Sequence, residues 1–118
     1  MKHVLVVDDD PDILEYLSKE LLDSGYKTGT ASDGVQAVLS ILENEWHAVI
    51  MDIRMPKLDG IGALQIIRRV APHLPVIMNT GQADQIDVLE TKRLGAYTCL
   101  FKPIIPDHMF RVLEQALN

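Results

Sequence analysis

The chain has 118 residues, one cysteine (Cys99), and 17 acidic against 11 basic residues, for a formal charge of −6. That length supports one domain with one core, burying roughly two-thirds of its unfolded surface without a disulfide or metal staple. A single cysteine excludes an internal disulfide and fits a reducing, cytoplasmic setting, and the acid excess argues against this domain gripping nucleic acid itself.

The four histidines, His3, His47, His73 and His108, are scattered without metal-ligand spacing, so a zinc site is not expected. The first apolar run, residues 4–7, is far too short for a signal peptide or a membrane span. The basic doublet Arg68-Arg69 reads as a solvated helix face. No repeat, linker or low-complexity segment interrupts the chain, and residues 1–118 read as one domain.

Apolar strand-like runs then alternate with helical patterns along the whole length. Strands are predicted over residues 4–7, 26–31, 48–51, 76–79 and 98–101. Helices are predicted near 11–24, 34–44, 60–70, 84–94 and 106–117. Asp10-Pro11 reads as an N-cap followed by proline at the first helical position, so Asp10 is a cap. Ser32-Asp33 and Asp59 offer further N-caps, Gly25 and Gly95 follow helical patterns as C′ glycines do, and Pro72 and Pro75 close the third helix.

Regular alternation of this kind implies a parallel sheet covered by helices on both faces. The second strand is the least apolar, which suits an edge. The expected fold is therefore α/β, a doubly wound five-stranded parallel sheet in the order 2-1-3-4-5, flavodoxin-like (βα)5. Ligands of such sheets bind beyond the carboxyl ends of the strands, at the switch point between strands 1 and 3.

Four strands deliver polar groups to that rim. Strand 1 is followed by Asp8, Asp9 and Asp10, strand 3 by Asp52, strand 4 by Thr80-Gly81 and strand 5 by Lys102-Pro103. The carboxylates of Asp8, Asp9 and Asp52 outnumber the one ammonium of Lys102 by two charges. Like charges this close raise carboxylate pKa values or recruit a cation, and all-oxygen ligation suits Mg²⁺ or Mn²⁺. A divalent ion would neutralise the excess and let a phosphoryl group approach. Asp52 is then the expected nucleophile, Lys102 the countercharge and Thr80 a hydroxyl donor to the product. Gly60-Ile61-Gly62 lacks the third glycine of a dinucleotide loop, no P-loop is present, and the acidic first loop would repel a flavin phosphate.

Asp8-Asp9, Met51-Asp52-Ile53-Arg54-Met55-Pro56, Asp59-Gly60, Asn79-Thr80-Gly81 and Gly95-Ala96 with Lys102-Pro103 together resemble the receiver domain of two-component response regulators, in order and spacing along essentially the whole chain. The resemblance implies that Asp52 takes a phosphoryl group from a phosphohistidine on a sensor histidine kinase or a histidine phosphotransfer protein. It implies that Asp9, Asp52 and the Arg54 backbone carbonyl hold Mg²⁺, with Asp8 acting through water. It implies a cis Lys102–Pro103 bond and makes Thr80 the switch hydroxyl. Receivers usually carry an aromatic residue three positions before the lysine, where this chain has Cys99. Cys99 reads as a small core hydrophobe. Tyr97 shares its face by the strand period and is a ring that could replace the missing one.

In the first helix, Leu14, Leu17 and Leu21 form a stripe for the sheet. Ile13, Tyr16 and Glu20 fall on an adjacent stripe near the rim, and are read as a docking patch for the phosphoryl donor. Arg54 and Gln82 flank the site. The face of the fourth and fifth helices carries Glu90, Lys92, Arg93, Asp107 and Arg111, a mixture that could pair across the twofold axis of a homodimer. Such a domain is no enzyme toward outside substrates and catalyses only its own phosphorylation and dephosphorylation. The competing functions are a receiver-like binding module with weakened or absent phospho-switching, and a small Mg²⁺-dependent phosphatase, against which Arg54 stands where a second acid is needed.

Overall fold

The computed structural model describes residues 1–81 and 85–118. Ten elements alternate: β1 (His3–Val7), α1 (Pro11–Asp23), β2 (Lys27–Ala31), α2 (Gly34–Glu43), β3 (Ala48–Asp52), α3 (Gly60–Val70), β4 (Val76–Thr80), α4 (Gln85–Arg93), β5 (Thr98–Phe101) and α5 (Pro106–Leu117). The strands form one parallel sheet in the order β2-β1-β3-β4-β5, as the alternation predicts. Among the described residues, no helix is long and apolar enough to cross a membrane.

Strand parity sorts the core into two layers. Val4, Val6, Ala48, Ile50, Ile77 and Leu100 face Leu17 and Leu21 of α1 and Met109, Val112 and Leu113 of α5. Leu5, Val7, Val49, Met51, Val76 and Met78 face Ala37 of α2 and Ala63, Leu64 and Ile67 of α3. Every residue of β3 and β4 is buried, which explains why both read as continuous apolar runs until Asp52 and Asn79.

Edge strand β2 is poor in apolar residues for a local reason as well. Gly29 lies against the indole of Trp46, and a Cβ there would stand 2.4 Å from the ring. β2 also begins one residue later than expected. The Tyr26 N–H donates to the Leu21 carbonyl, and the Tyr26 ring stacks on Phe110 of α5 at 6.2 Å.

Carboxylates cap three helices. Asp10, Asp33 and Asp59 accept from the N–H groups of Asp12, Gln36 and Gly62, satisfying donors that the first turn leaves unpaired. Ser32 instead donates to the side chain of Gln36. The Arg68-Arg69 expectation needs correction at Arg68. Its guanidinium is half-buried and donates to the carbonyls of Pro72 and Leu74, tying down the turn after α3, while Arg69 is exposed.

The junction of β3 and α3 fixes the strand end that carries Asp52. The Gly60 N–H donates to the Ile53 carbonyl at 2.7 Å. A Cβ on Gly60 would lie 2.2 Å from the Asp52 carbonyl oxygen, so only glycine lets α3 start against that strand end. Gly60→Ala is expected to destabilise the domain by about 1–3 kcal/mol through overpacking. Urea denaturation would register this as a lower midpoint at unchanged slope.

Candidate functional site

Asp8, Asp9 and Asp52 converge at the carboxyl rim, with one carboxylate oxygen of each within 4.8 Å of the others. The sheet register causes this. Val7 pairs with Met51, so the residues that come after them emerge side by side. Asp8 and Asp52 are buried and Asp9 is exposed. The carboxylates are held apart by backbone donors: the Asp10 N–H donates to Asp8 Oδ1 at 2.9 Å, and the Arg54 N–H to Asp52 Oδ1 at 3.4 Å.

Lys102 reaches this cluster from the end of β5. Its Nζ donates to Asp52 Oδ2 at 3.1 Å and forms an ion pair with Asp8 Oδ2 at 3.0 Å. The Lys102 N–H donates to the Thr80 carbonyl at 2.8 Å, and the Lys102–Pro103 bond is cis, as the resemblance implies.

Burial and the nearby Asp8 carboxylate push the Asp52 pKa upward, and Lys102 only partly offsets them. Burial pulls the Lys102 ammonium down, yet its two carboxylate partners outweigh that and leave its pKa raised. The two shifts agree: the site holds more negative charge than one lysine balances.

The buried oxygen Asp8 Oδ2, whose one close partner among the described residues is the Lys102 ammonium, and the three converging carboxylates suit a hard divalent cation. Beside them, Asp52, Arg54, Thr80, Gly81 and Lys102 line a cavity of about 190 Å³. Thr80 is buried at its edge.

Not every predicted residue reaches this cavity. Ile13 and Tyr16 line a second, apolar cavity of about 390 Å³ with Leu17, Asn79, Lys102, Pro103 and Ile104. Glu20 is half-buried one turn along α1 and does not line it. Cys99 is half-buried against the core, and burial pushes its thiol pKa up, as suits a small hydrophobe. Cys99 is level with Met78, whereas Tyr97 sits at the amino end of β5, its N–H on the Val76 carbonyl. Tyr97 is therefore not brought to the rim. Gln82 lies outside the described residues.

Three features escape sequence reasoning. Phe101, on the Tyr97 face of β5 and level with Thr80, is the ring at the rim; it is 53% exposed and borders a hollow with Gln85, Val88 and Leu89. Asn79 is buried with its Oδ1 unpartnered at the floor of the α1 cavity, and a polar residue in an otherwise apolar strand is a signal for it. The Arg54 guanidinium pairs with Asp87 of α4 at 2.8 Å, a contact no local pattern announces.

A doubly wound sheet with an acid cluster, a lysine and a buried threonine around one rim cavity defines the class of phosphoryl-accepting signalling domains. The profile of the family described as Response regulator receiver domain matches residues 4–114, and the chain belongs to that family. It is 32% identical over 116 residues to the transcriptional regulatory protein GlrR of Escherichia coli, covering 98% of this chain and 26% of that protein. Identity to the transcriptional regulatory protein CpxR homolog of Haemophilus influenzae is 41% over 103 residues, 87% of this chain and 44% of that one. This chain thus spans between a quarter and a half of such relatives. A response regulator receiver domain protein from Clostridium thermocellum superposes with a TM-score of 0.95 at 31% identity, covering 100% of this chain and 95% of the other. The family consists of signalling modules of two-component systems that accept a phosphoryl group and bind Mg²⁺ through acidic residues.

The pKa directions set the pH dependence. Asp52 has a folded pKa above its unfolded value, so folding favours its protonated form, and its ionisation opposes folding as pH rises through that range. Asp52→Asn is therefore expected to raise the urea midpoint in EDTA near neutral pH, with the advantage vanishing below the carboxylate range. Lys102 carries the raised cation case: its contribution is present at neutral pH and is lost as pH climbs past its folded value. Millimolar Mg²⁺ should stabilise wild type more than Asp52→Asn, the outcome expected if the three folded-state carboxylates bind the cation together.

Proposed function

We propose that Asp52 accepts a phosphoryl group from the phosphohistidine of a sensor histidine kinase or a histidine phosphotransfer protein. The observation that carries this reading is the Asp52 carboxylate in the rim cavity, with Lys102 Nζ at 3.1 Å and two further acids beside it. A carboxylate oxygen of Asp52 attacks phosphorus, forming the P–O bond of an acyl phosphate. The P–N bond to the donor imidazole breaks, and its electron pair stays on the imidazole nitrogen, which takes up a proton. Lys102 pairs with an oxygen of the transferred group, and the Thr80 hydroxyl donates to another.

Asp9, Asp52 and the Arg54 backbone carbonyl would hold Mg²⁺ or Mn²⁺, with Asp8 acting through water. The ion supplies charge neutralisation at the phosphoryl oxygens. Hydrolysis returns Asp52 to its carboxylate and releases inorganic phosphate, so the domain catalyses only its own phosphorylation and dephosphorylation. Thr80 and its β5 ladder partner Phe101, with Cys99 two residues earlier, are the route by which charge at Asp52 would reach the α4 side, and Tyr97, at the far end of that strand, stands outside it.

Exposed Leu89, which shares a hollow with Phe101, and exposed Ile105 just before α5 support a homodimer through the α4–α5 face. Glu90 and Arg93 already pair with each other within α4, which leaves Lys92, Asp107 and Arg111 for contacts across it. Incubation with acetyl phosphate and Mg²⁺, read by intact mass, should give one phosphoryl adduct that Asp52→Asn and EDTA abolish. An adduct that persists in Asp52→Asn refutes the assignment. Sedimentation of the same sample should show mass rising with concentration only when phosphorylated.

The apolar cavity beside Lys102 supports docking of a helical phosphoryl donor on Ile13, Tyr16 and Glu20. Ile13→Ala with Tyr16→Ala should slow transfer from the cognate donor at least tenfold, the loss expected when apolar anchors worth about 1.4 kcal/mol or more are removed. Labelling by acetyl phosphate should stay unchanged. Equal loss with both donors would mean that these side chains support the fold rather than the partner.

A further inference from the structure

Arg54 stands between two anionic positions. It lies two residues beyond Asp52 and lines the rim cavity with Asp52, Thr80 and Lys102. At the same time its Nη2 is 2.8 Å from Asp87 Oδ2, in the first turn of α4. The Arg54 side chain is 58% exposed and the Asp87 side chain 23%. Exposed pairs of this kind are weak and easily outcompeted.

Helix α4 is itself loosely seated. Of its nine residues only Thr91 is buried, while Ile86 and Leu89 are 77% and 66% exposed. Little burial holds the helix, so a tie from Arg54 to its first turn counts for more here than it would on a well-packed helix. A phosphoryl group on Asp52 brings about −1.5 to −2 charges, against one on Asp87. It also presents three acceptor oxygens to a planar, multidentate donor, the geometry arginine suits best.

We propose that Arg54 is a further phosphoryl-binding residue that exchanges Asp87 for the group on Asp52, and so unties the first turn of α4 when the domain is phosphorylated. The inference rests on Asp52 being the acceptor. No covalent bond changes in the exchange; one set of charge-assisted hydrogen bonds replaces another. Because the coupling is reciprocal, whatever loosens Asp87 from Arg54 must tighten the phosphoryl group's hold.

Beryllofluoride with Mg²⁺, a stable phosphoryl analogue, provides the probe. Asp87→Asn should tighten its binding about two- to fivefold, the range an exposed ion pair commands. Arg54→Gln should weaken it, and in an Arg54→Gln background Asp87→Asn should have no effect. Hydrogen exchange in the first turn of α4 should rise when beryllofluoride binds wild type, and should already be high in free Arg54→Gln. Weaker binding by Asp87→Asn would mean that Asp87 positions Arg54 instead of competing for it, and would overturn the exchange. Equal tightening in both backgrounds would reduce the effect to general charge removal and overturn it too, as would no change in either. Beryllofluoride binding that is absent from wild type, or indifferent to Asp52→Asn, would sink the acceptor assignment itself, a result separable from all of these.

Discussion

The ammonium of Lys102, 3.0 Å from Asp8 and 3.1 Å from Asp52, is the interaction on which the site depends. Two buried carboxylates a few ångströms apart repel each other, and an ammonium between them offsets that repulsion. One cation between them keeps the rim anionic without collapsing it. It does not finish the neutralisation, because Asp9 adds a third carboxylate within 4.8 Å. The residual charge and the all-oxygen donor set suit the cluster to a hard divalent cation.

Packing distributes rigidity unevenly around that cluster. β3 and β4 are buried along their whole lengths, so Asp52 and Thr80 are fixed by the centre of the core. β5 is an edge strand in which only Leu100 is buried, and α4 behind it buries only Thr91. Asp52 and Thr80 are on the well-packed side of the rim, and Phe101 and α4 are on the sparsely packed side. Segments with few buried contacts are the ones that open at low free energy. The β5 edge and α4 are therefore the parts that open at lower free energy than the strands holding Asp52 and Thr80.

The same division separates what is legible in the chain from what is not. Helix and strand periods are local, so every element can be read, and strand ends mark the rim, so Asp8, Asp9, Asp52, Thr80 and Lys102 gather on one side. Side-chain parity places Tyr97, Cys99 and Phe101 on one face of β5. It cannot tell which of them is level with Thr80, because that depends on the pairing of Thr80 with Phe101 across two strands. Arg54–Asp87 is invisible for a similar reason: the residues are 33 positions apart, and their meeting depends on how α4 is seated against the sheet. Arg68 departs from its sequence reading because basic doublets are usually solvated, whereas this one precedes a turn that brings the Pro72 and Leu74 carbonyls within reach.

The substitution at Cys99 takes its meaning from the same register. A small half-buried side chain beside Met78 leaves no ring in mid-strand, and its raised thiol pKa leaves little thiolate to give it a chemistry of its own. The ring at the rim, Phe101, has Lys102 as its chain neighbour and Thr80 as its partner across the ladder, and the Lys102 N–H is hydrogen-bonded to the Thr80 carbonyl at 2.8 Å. Both groups that line the phosphoryl cavity are therefore joined by backbone to the strand end that carries Phe101. That ring borders Val88 and Leu89, on a helix that buries only Thr91. The register thus puts an aromatic beside α4 at position 101, level with Thr80, and a small thiol at position 99.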